Sequence, residues 1–353
     1  MDEDRAGALF AFGIIADVQY ADIDDGLNYL RTRRRFYRSS ADLLRGAVRH
    51  WEERRVKCVL QLGDIIDGHN SGRDASESAL DAVMKEFEKS SADVHHVWGN
   101  HEFYNFRRET LLASALNSAP KAGTGSDLIV HDIYAYEFSP APGFRFVILD
   151  AYDMSVIGRD ASDEKHAQAL ELLRRRNGNA DLNQPPGSHT HTHTHTHTHT
   201  HTHTFDAVSS PLMSYGLEQR FVKFNGGFSS EQLQWLDGVL TLADQKQERV
   251  TLFSHLPVHP DATDPICLAW NYEDVLSVLR SHQCVVCFMA GHDHDGGFFT
   301  DGSGLHHLTL EGLIETPPQS SAFGTLHVFE DRMILEGSGR TRDRVLIYPS
   351  QSH

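Results

Sequence analysis

The chain predicts an α/β fold with mixed sheets, and two observations carry that expectation. Strand-length apolar runs alternate with segments of helical period over most of the sequence, and from about residue 297 the helical segments stop and strands follow one another. A third observation points to where the function lies. Five short polar clusters each close an apolar run, and the carboxyl ends of strands are where sites form in sheets of this kind.

Residues 10–15 read as a buried strand ending at Asp17. Residues 32–53 read as a helix, because Leu43, Leu44, Ala47, Val48 and Trp51 fall on one stripe of a 3.6-residue period. Residues 58–62 form the next strand and deliver Asp64 and Asp67. A second amphipathic helix carries Leu80, Val83, Met84 and Phe87, and a short strand at 94–97 leads into Asn100 and His101. Residues 133–138 and 145–149 flank a Pro/Gly turn at 140–143, a hairpin signal. Residues 160–176 look helical. Ser229, with Gln232 three positions on, stands in capping-box register before a helix containing Leu233, Leu236 and Leu240. Strands at 250–253 and 285–290 end at His255 and His292, with a helix at 273–279 between them. Strands at 297–300, 305–310, 324–329 and 333–336 complete the order.

The 353 residues are expected to form one domain over 8–347, since the first and last polar clusters must meet at one site. Hydrophobic residues make up 40%, enough for a large core, and the net charge is −17 with no dominant basic patch. That balance disfavours a nucleic-acid partner held by phosphate neutralisation. No apolar stretch approaches the roughly 20 residues of a membrane span, and no protein partner is indicated. Cys58, Cys284 and Cys287 sit in apolar runs as small buried residues, a pattern that suits a reducing compartment. The opening Asp2, Glu3, Asp4 and Arg5 is not a secretory leader, so the expected location is cytoplasmic. The His-Thr alternation at 189–204 has nothing to bury and follows an Asn/Pro/Gly-rich stretch from 177; together, 177–204 read as a disordered insert.

The five clusters are Asp17-Val18-Gln19, Gly63-Asp64-Ile65-Ile66-Asp67, Gly99-Asn100-His101-Glu102, Ser254-His255 and Gly291-His292-Asp293-His294. Their side chains are the oxygen and imidazole donors that hold divalent cations. In this order, over about 10–347, they resemble the calcineurin-like metallophosphoesterase superfamily. The resemblance implies a metallophosphoesterase-type β-sandwich flanked by helices in α/β/β/α layers, with a two-metal centre. It implies that Asp17, Gln19, Asp64 and His294 hold one cation, that Asp64, Asn100, His255 and His292 hold the other, and that Asp64 bridges. His101 would be the general acid or phosphate contact, Asp67 would orient it, and a hydroxide held by the cations would attack phosphorus. His95 and His96 read as packing or hydrogen-bonding residues, and Asp293 as turned away from the site.

Most members of that superfamily carry D-x-H at the first cluster, whereas this chain has Gln19. An amide oxygen in place of an imidazole suits manganese or magnesium better than zinc or copper. The expected cofactor is therefore two divalent cations, manganese first, with magnesium, zinc and iron as alternatives. The D-x-Q variant, with Tyr20-Ala21-Asp22, Asp25-Gly26, Thr32-Arg33-Arg34-Arg35, Phe224-Asn225-Gly226-Gly227-Phe228, the run from His255 to Pro260 and the run from Cys267 to Tyr272, looks like the manganese-dependent ADP-ribose/CDP-alcohol diphosphatases. This implies cleavage of the phosphoanhydride bond in small nucleoside diphosphate compounds (ADP-ribose and CDP-choline), releasing a nucleoside monophosphate, with cyclic ADP-ribose as a further substrate. The alternative is a broader phosphodiesterase with the same metals. A protein phosphatase is disfavoured by Val97-Trp98, where that family has Leu-Arg. A metal-free binding module is disfavoured because every ligand position keeps a competent side chain. Tyr29, Asn225, Gly226, Phe228, Cys267 and Trp270 are the candidate substrate-binding residues. Arg31, Arg33, Arg34 and Arg35 read either as distal-phosphate contacts or as a solvated helix face.

Overall fold

The computed structural model describes residues 7–28, 31–123, 132–186 and 216–349; Tyr29 and the His-Thr tract lie outside them. In chain order the strands and helices are β1 (Phe10–Ile15), β2 (Gly26–Leu27), β3 (Arg34–Arg35), α1 (Ser39–Arg54), β4 (Cys58–Gln61), α2 (Ser76–Phe87), β5 (Asp93–His96), α3 (Asn100–Asn105), α4 (Arg108–Ala113), β6 (Tyr136–Ala141), β7 (Phe144–Ile148), α5 (Glu164–Arg176), α6 (Ser230–Gln245), β8 (Arg249–Phe253), α7 (Tyr272–Arg280), β9 (Val285–Ala290), β10 (Gly297–Thr300), β11 (His306–Thr309), β12 (Ala322–Val328), β13 (Arg332–Gly339) and β14 (Arg344–Ile347).

Two mixed sheets of six strands hold the molecule together. One runs β14-β13-β12-β1-β4-β5 and the other β10-β11-β9-β8-β7-β6. The strand–helix alternation supplies the parallel pairs β1–β4, β4–β5, β7–β8 and β8–β9. The helix-free end of the chain supplies the antiparallel β12–β13 and β13–β14. β4 and β9 are buried along their whole length, which is why they read as continuous apolar runs and not as alternation.

The sheets pack face to face through aromatic rings. Phe12 of β1 meets Phe146 of β7 and Phe253 of β8 at 4.9 and 6.0 Å between centroids, and Phe10 meets Phe144 at 5.4 Å. Trp51 of α1 lies buried on the outer face of the first sheet and donates to the Gly324 carbonyl of β12 at 3.1 Å. On the far side Val275, Leu276 and Leu279 of α7 are buried, and the Cys284 thiol just before β9 meets the Leu240 carbonyl of α6. The order of layers is α/β/β/α.

Several expected boundaries move for local reasons. The helix expected over 32–53 starts only at Ser39. The Asn28 carboxamide takes the Thr32 and Arg33 N–H groups at 2.9 and 3.2 Å, turning the chain into a hairpin in which Arg35 pairs with Gly26. Arg34 and Arg35 therefore lie on a short strand and not on a helix face. Ser229 caps α6 by accepting from Gln232 N–H, but the Gln232 side chain turns instead to the Asp150 backbone, so only half of the capping box forms. Asn177, assigned by composition to the insert, is buried and donates to the carbonyls of Gln184 and Phe221 at 2.9 and 2.8 Å. Those bonds tie the start of 177–186 to the domain.

His95 and His96 are packed within the core. The His95 ring stacks on Phe138 at 3.9 Å and meets the Tyr136 hydroxyl at 3.1 Å, while His96 Nδ1 meets Gln61 Oε1 at 3.2 Å. Burial, with Lys121 adding to it, pushes both imidazoles down to about 3. Below about 6.5 the unfolded chain takes up protons that the folded chain refuses until about 3. Stability should therefore fall as pH drops through that window, by about 1.4 kcal/mol per pH unit for each histidine. Denaturant unfolding at pH 5 and pH 7 checks this: His95→Phe should flatten the pH slope by one proton, and an unchanged slope would mean His95 is charged in the folded state.

Candidate metal centre

All five polar clusters converge where the carboxyl ends of the parallel strands meet. β1 leads to Asp17 and Gln19, β4 to Asp64 and β5 to Asn100; from the second sheet β8 leads to His255 and β9 to His292 and His294. The loops are knitted together by Asp17 N–H to the Gly63 carbonyl and Gln19 N–H to the Asp64 carbonyl, at 3.2 and 2.9 Å. Asp17, Gln19, Asp64 and His292 adopt left-handed backbone, with φ of 53°, 42°, 58° and 69°. Non-glycine residues enter that region at a cost, and here the reversal just past each strand throws four side chains inward. Gly99 leaves room for them, since a Cβ there would stand 2.2 Å from Asp64 Oδ1.

The side chains form two groups that share one oxygen. In the first, His294 Nε2 stands 3.3 Å from Asp17 Oδ1 and 3.1 Å from Gln19 Nε2. In the second, His255 Nε2 stands 3.2 Å from Asn100 Oδ1 and 3.1 Å from His292 Nδ1. Asp64 Oδ2 lies between them, 3.0 Å from Gln19 Nε2 and 3.5 Å from His255 Nε2. Asp64 Oδ1 is held apart, accepting the His101 N–H at 2.8 Å.

This donor set fits divalent cations. Each histidine directs one nitrogen at the centre and donates its other N–H outward: His255 to the Leu62 carbonyl at 2.7 Å, His292 to Asn225 Oδ1 at 2.9 Å and His294 to Glu315 Oε1 at 3.0 Å. Such partners fix the tautomer that leaves a lone pair facing inward. Asp17 Oδ1 and Gln19 Oε1 are buried with no hydrogen-bond partner. The Gln19 amide directs its NH2 at Asp64 and His294; half a turn about its last torsion replaces that donor with an oxygen ligand.

Charge within the cluster is held by mutual attraction. Burial opposes ionisation of Asp64, yet His255 and His101 hold its carboxyl well below the usual range. Burial likewise opposes charge on His255 and His294, but Asp64 pushes the first up to about 9 and Asp17 the second up to about 9. His292, buried beside His255, is held well below its ordinary value.

His101 flanks the shared carboxylate with Nε2 3.8 Å from Asp64 Oδ2. Its Nδ1 accepts the Gly68 N–H at 2.8 Å, so the neutral ring carries its proton on Nε2, towards the centre. Asp67 meets the surroundings of His101 mainly through the backbone. Its Oδ1 accepts the His69 N–H at 2.8 Å and caps the turn Gly68–Arg73 that presents Gly68, while its Oδ2 stays 3.5 Å from the His101 ring. Glu102 binds the cluster from beneath, accepting from the N–H groups of Asp64, Ile65 and Gly99 at 2.8, 2.7 and 2.6 Å. Asp293 turns away to Thr263 and Asp264.

No protein-family model matches the chain. Curated relatives do: it is 64% identical over 343 residues to the manganese-dependent ADP-ribose/CDP-alcohol diphosphatase of Danio rerio, covering 96% of this chain and 98% of that protein. It is 49% identical over 358 residues to the Homo sapiens protein of the same name (99% and 95% covered) and 37% identical over 333 residues to that of Arabidopsis thaliana (94% and 95%). The chain belongs to the manganese-dependent ADP-ribose/CDP-alcohol diphosphatase family. A crystal structure of a dimetal phosphatase from Danio rerio superposes with a TM-score of 0.86 at 64% identity, covering 97% of this chain and 99% of that one.

Within this member of the family, the described residues expected to bind substrate stand in different surroundings. Asn225 is fully buried: its oxygen holds His292 and its NH2 donates to the carbonyls of Arg220, Ile266 and Leu268. Gly226 serves packing, since a Cβ would meet the Ala151 carbonyl at 2.4 Å. Phe228 and Trp270 are core residues that border a separate cleft of about 440 Å³ beside α5, lined by none of the clustered side chains. Cys267 is half-buried, and burial with Asp293 nearby pushes its thiol well above the usual range. Phe224 is one aromatic beside the centre, its ring 5.9 Å from that of His292, and apolar patterning does not distinguish it from Phe228. Tyr152, in the loop after β7, carries no distinguishing sequence signal; its hydroxyl donates to Asn100 Oδ1 at 3.2 Å. A second group of buried donors, His259, Asp301 and His307, already holds a cation: Arg280 donates to Asp301 at 2.8 Å and stands 3.4 Å from His259 Nε2.

Protons on His255 and His294 compete with a cation for the inward lone pairs. Metal binding should therefore release protons and tighten as pH rises from about 6 towards 9. Calorimetric manganese titrations in buffers of different ionisation enthalpy check this; pH-independent affinity with no proton release would contradict it.

Proposed function

We propose that this chain hydrolyses the phosphoanhydride bond of ADP-ribose and CDP-alcohols, releasing a nucleoside monophosphate, with cyclic ADP-ribose as a further substrate. The observation that carries the reading is the single oxygen, Asp64 Oδ2, shared by two sets of metal donors. Asp17, Gln19, Asp64 and His294 would hold one manganese ion, and Asp64, Asn100, His255 and His292 the other. Two such cations, when bound, neutralise phosphoryl charge and lower the pKa of water. His101 donates its Nε2 proton to a phosphoryl or leaving oxygen, and the Asp67-capped turn keeps it aimed. In the balance, one P–O bond of the anhydride breaks, water oxygen joins phosphorus, and the departing phosphate takes a proton.

One domain spanning 8–347 would carry this activity. A cytoplasmic location is favoured by the four cysteines, all free thiols; no helix among the described residues is long and apolar enough to cross a membrane.

The deciding experiment is a product assay on a panel of diphosphate compounds and phosphodiesters after chelation and readdition of manganese, magnesium or zinc. AMP with ribose 5-phosphate from ADP-ribose supports the reading, and faster turnover of simple phosphodiesters would replace it with the broader phosphodiesterase. Asp64→Ala should abolish turnover of every substrate. His101→Ala should lower it by about 10²–10⁴-fold with metal content intact, and by less for nitrophenyl esters, whose leaving group needs no proton. Gln19→His should raise the ratio of zinc- to manganese-supported activity; an unchanged ratio with metals bound would remove Gln19 from the ligand set.

A further inference from the structure

The three histidines of the centre are backed by different chemistry. His255 donates to a main-chain carbonyl and His292 to a carboxamide oxygen, both neutral acceptors. His294 alone donates to a carboxylate, Glu315 Oε1, at 3.0 Å. We propose that Glu315 is a positioning residue for one half of the metal centre, so that its charge strengthens the site formed by Asp17, Gln19, Asp64 and His294 and leaves the site formed by Asn100, His255 and His292 untouched. The inference rests on the two-cation reading above.

Glu315 is buried on the short turn Leu313–Glu315, and that turn is fastened to the same half of the centre. Leu313 N–H donates to the Ala16 carbonyl at 3.1 Å, Ile314 N–H to the Asp17 carbonyl at 2.9 Å and Gly312 N–H to the His294 carbonyl at 3.2 Å. Arg340 spans the junction, donating to the carbonyls of Gly312 and His294 at 3.0 and 2.7 Å. Asp17, His294 and Glu315 are thus braced as one unit. The guanidinium groups of Arg35 and Arg33 stand 3.6 and 3.9 Å from the carboxylate, so its short contact goes to His294.

A carboxylate behind a ligating imidazole orients the ring and makes its inward nitrogen a stronger donor, and loss of such a partner typically costs about 10–100-fold in metal affinity. The effect matters most in this half, where His294 is the one imidazole and Gln19 contributes an amide. The Glu315 charge compensates for the imidazole that the D-x-Q sequence lacks.

The test measures manganese bound per chain by equilibrium dialysis, with free Mn2+ read by electron paramagnetic resonance, on full-length protein stripped by chelation. Wild type is compared with Glu315→Gln, His294→Ala and the double variant; the His-Thr tract adds the same background to each. Glu315→Gln should weaken one of two manganese sites by about 10–100-fold and leave the other within about twofold. In the His294→Ala background it should add nothing, since the imidazole through which it acts is gone. No change, an equal loss at both sites, or additive losses in the double variant would overturn the proposal. If Glu315→Gln does not fold, judged by a melt without metal, Glu315→Asp is measured instead; a selective loss at one site supports the proposal and an unselective loss overturns it. A wild-type chain with a single manganese site would overturn the two-cation reading, and this inference with it.

Discussion

The arrangement depends on where Asp64 places one oxygen. The carboxylate stands just past an interior strand of one sheet and reaches the histidines of the other, so the two halves of the centre meet at Oδ2. Everything around it limits its freedom. Its backbone is left-handed, its own N–H is taken by Glu102, and its second oxygen is held by the His101 N–H. Glu102 binds the loops after β4 and β5 in one grip, so the position of Asp64 and that of Asn100 are set together. Burial and the neighbouring Asp64 push the Glu102 carboxyl up to about 7, and three backbone donors oppose that rise.

Two buried acids and three imidazoles at this spacing make a site that demands positive charge. Protons on His255 and His294 answer that demand here, and a divalent cation answers it better because it replaces several partial contacts with direct ligation. The acidic surface of the chain is no obstacle to an anionic substrate, because the field at the centre is set by what stands within a few ångströms. Arg33, Arg35 and Arg340 gather on the His294 side, each near a carboxylate, so that wall of the site carries balanced charge.

The clustered side chains were legible in the sequence because their identity and order are the signal: an acid, amide or imidazole just past an apolar run. The α/β character was legible for a related reason, since strands buried on both faces read as continuous apolar runs; the α/β/β/α layering followed only from the family resemblance. What stayed hidden depends on contacts between distant segments. Asn225 looks like part of a ligand loop because Asn-Gly-Gly reads as exposed turn; only the folded chain shows its amide pressed behind His292. Glu315 lies 21 residues beyond His294 in an unremarkable turn. The pairing of β2 with β3 is not legible because it depends on one side chain, Asn28, whose carboxamide takes the Thr32 and Arg33 N–H groups where helical periodicity begins in the sequence. Phe224 and Phe228 differ by four positions and cannot be ranked until the fold sets Phe224 against the His292 ring.

Both groups of clustered donors draw on both sheets: Asp17 and Asp64 face His294 across the sandwich, and Asp64 and Asn100 face His255 and His292. Filled as proposed, the centre is a removable rivet through one end of the two layers. A ligand that binds only the folded state adds stability in proportion to the logarithm of its concentration. The strained turns that present Asp17, Gln19, Asp64 and His292 make that end of the sandwich the place where such fastening counts most. A centre so filled would tie the durability of the fold to manganese supply, since scarcity would loosen the same end of the sandwich that it silences.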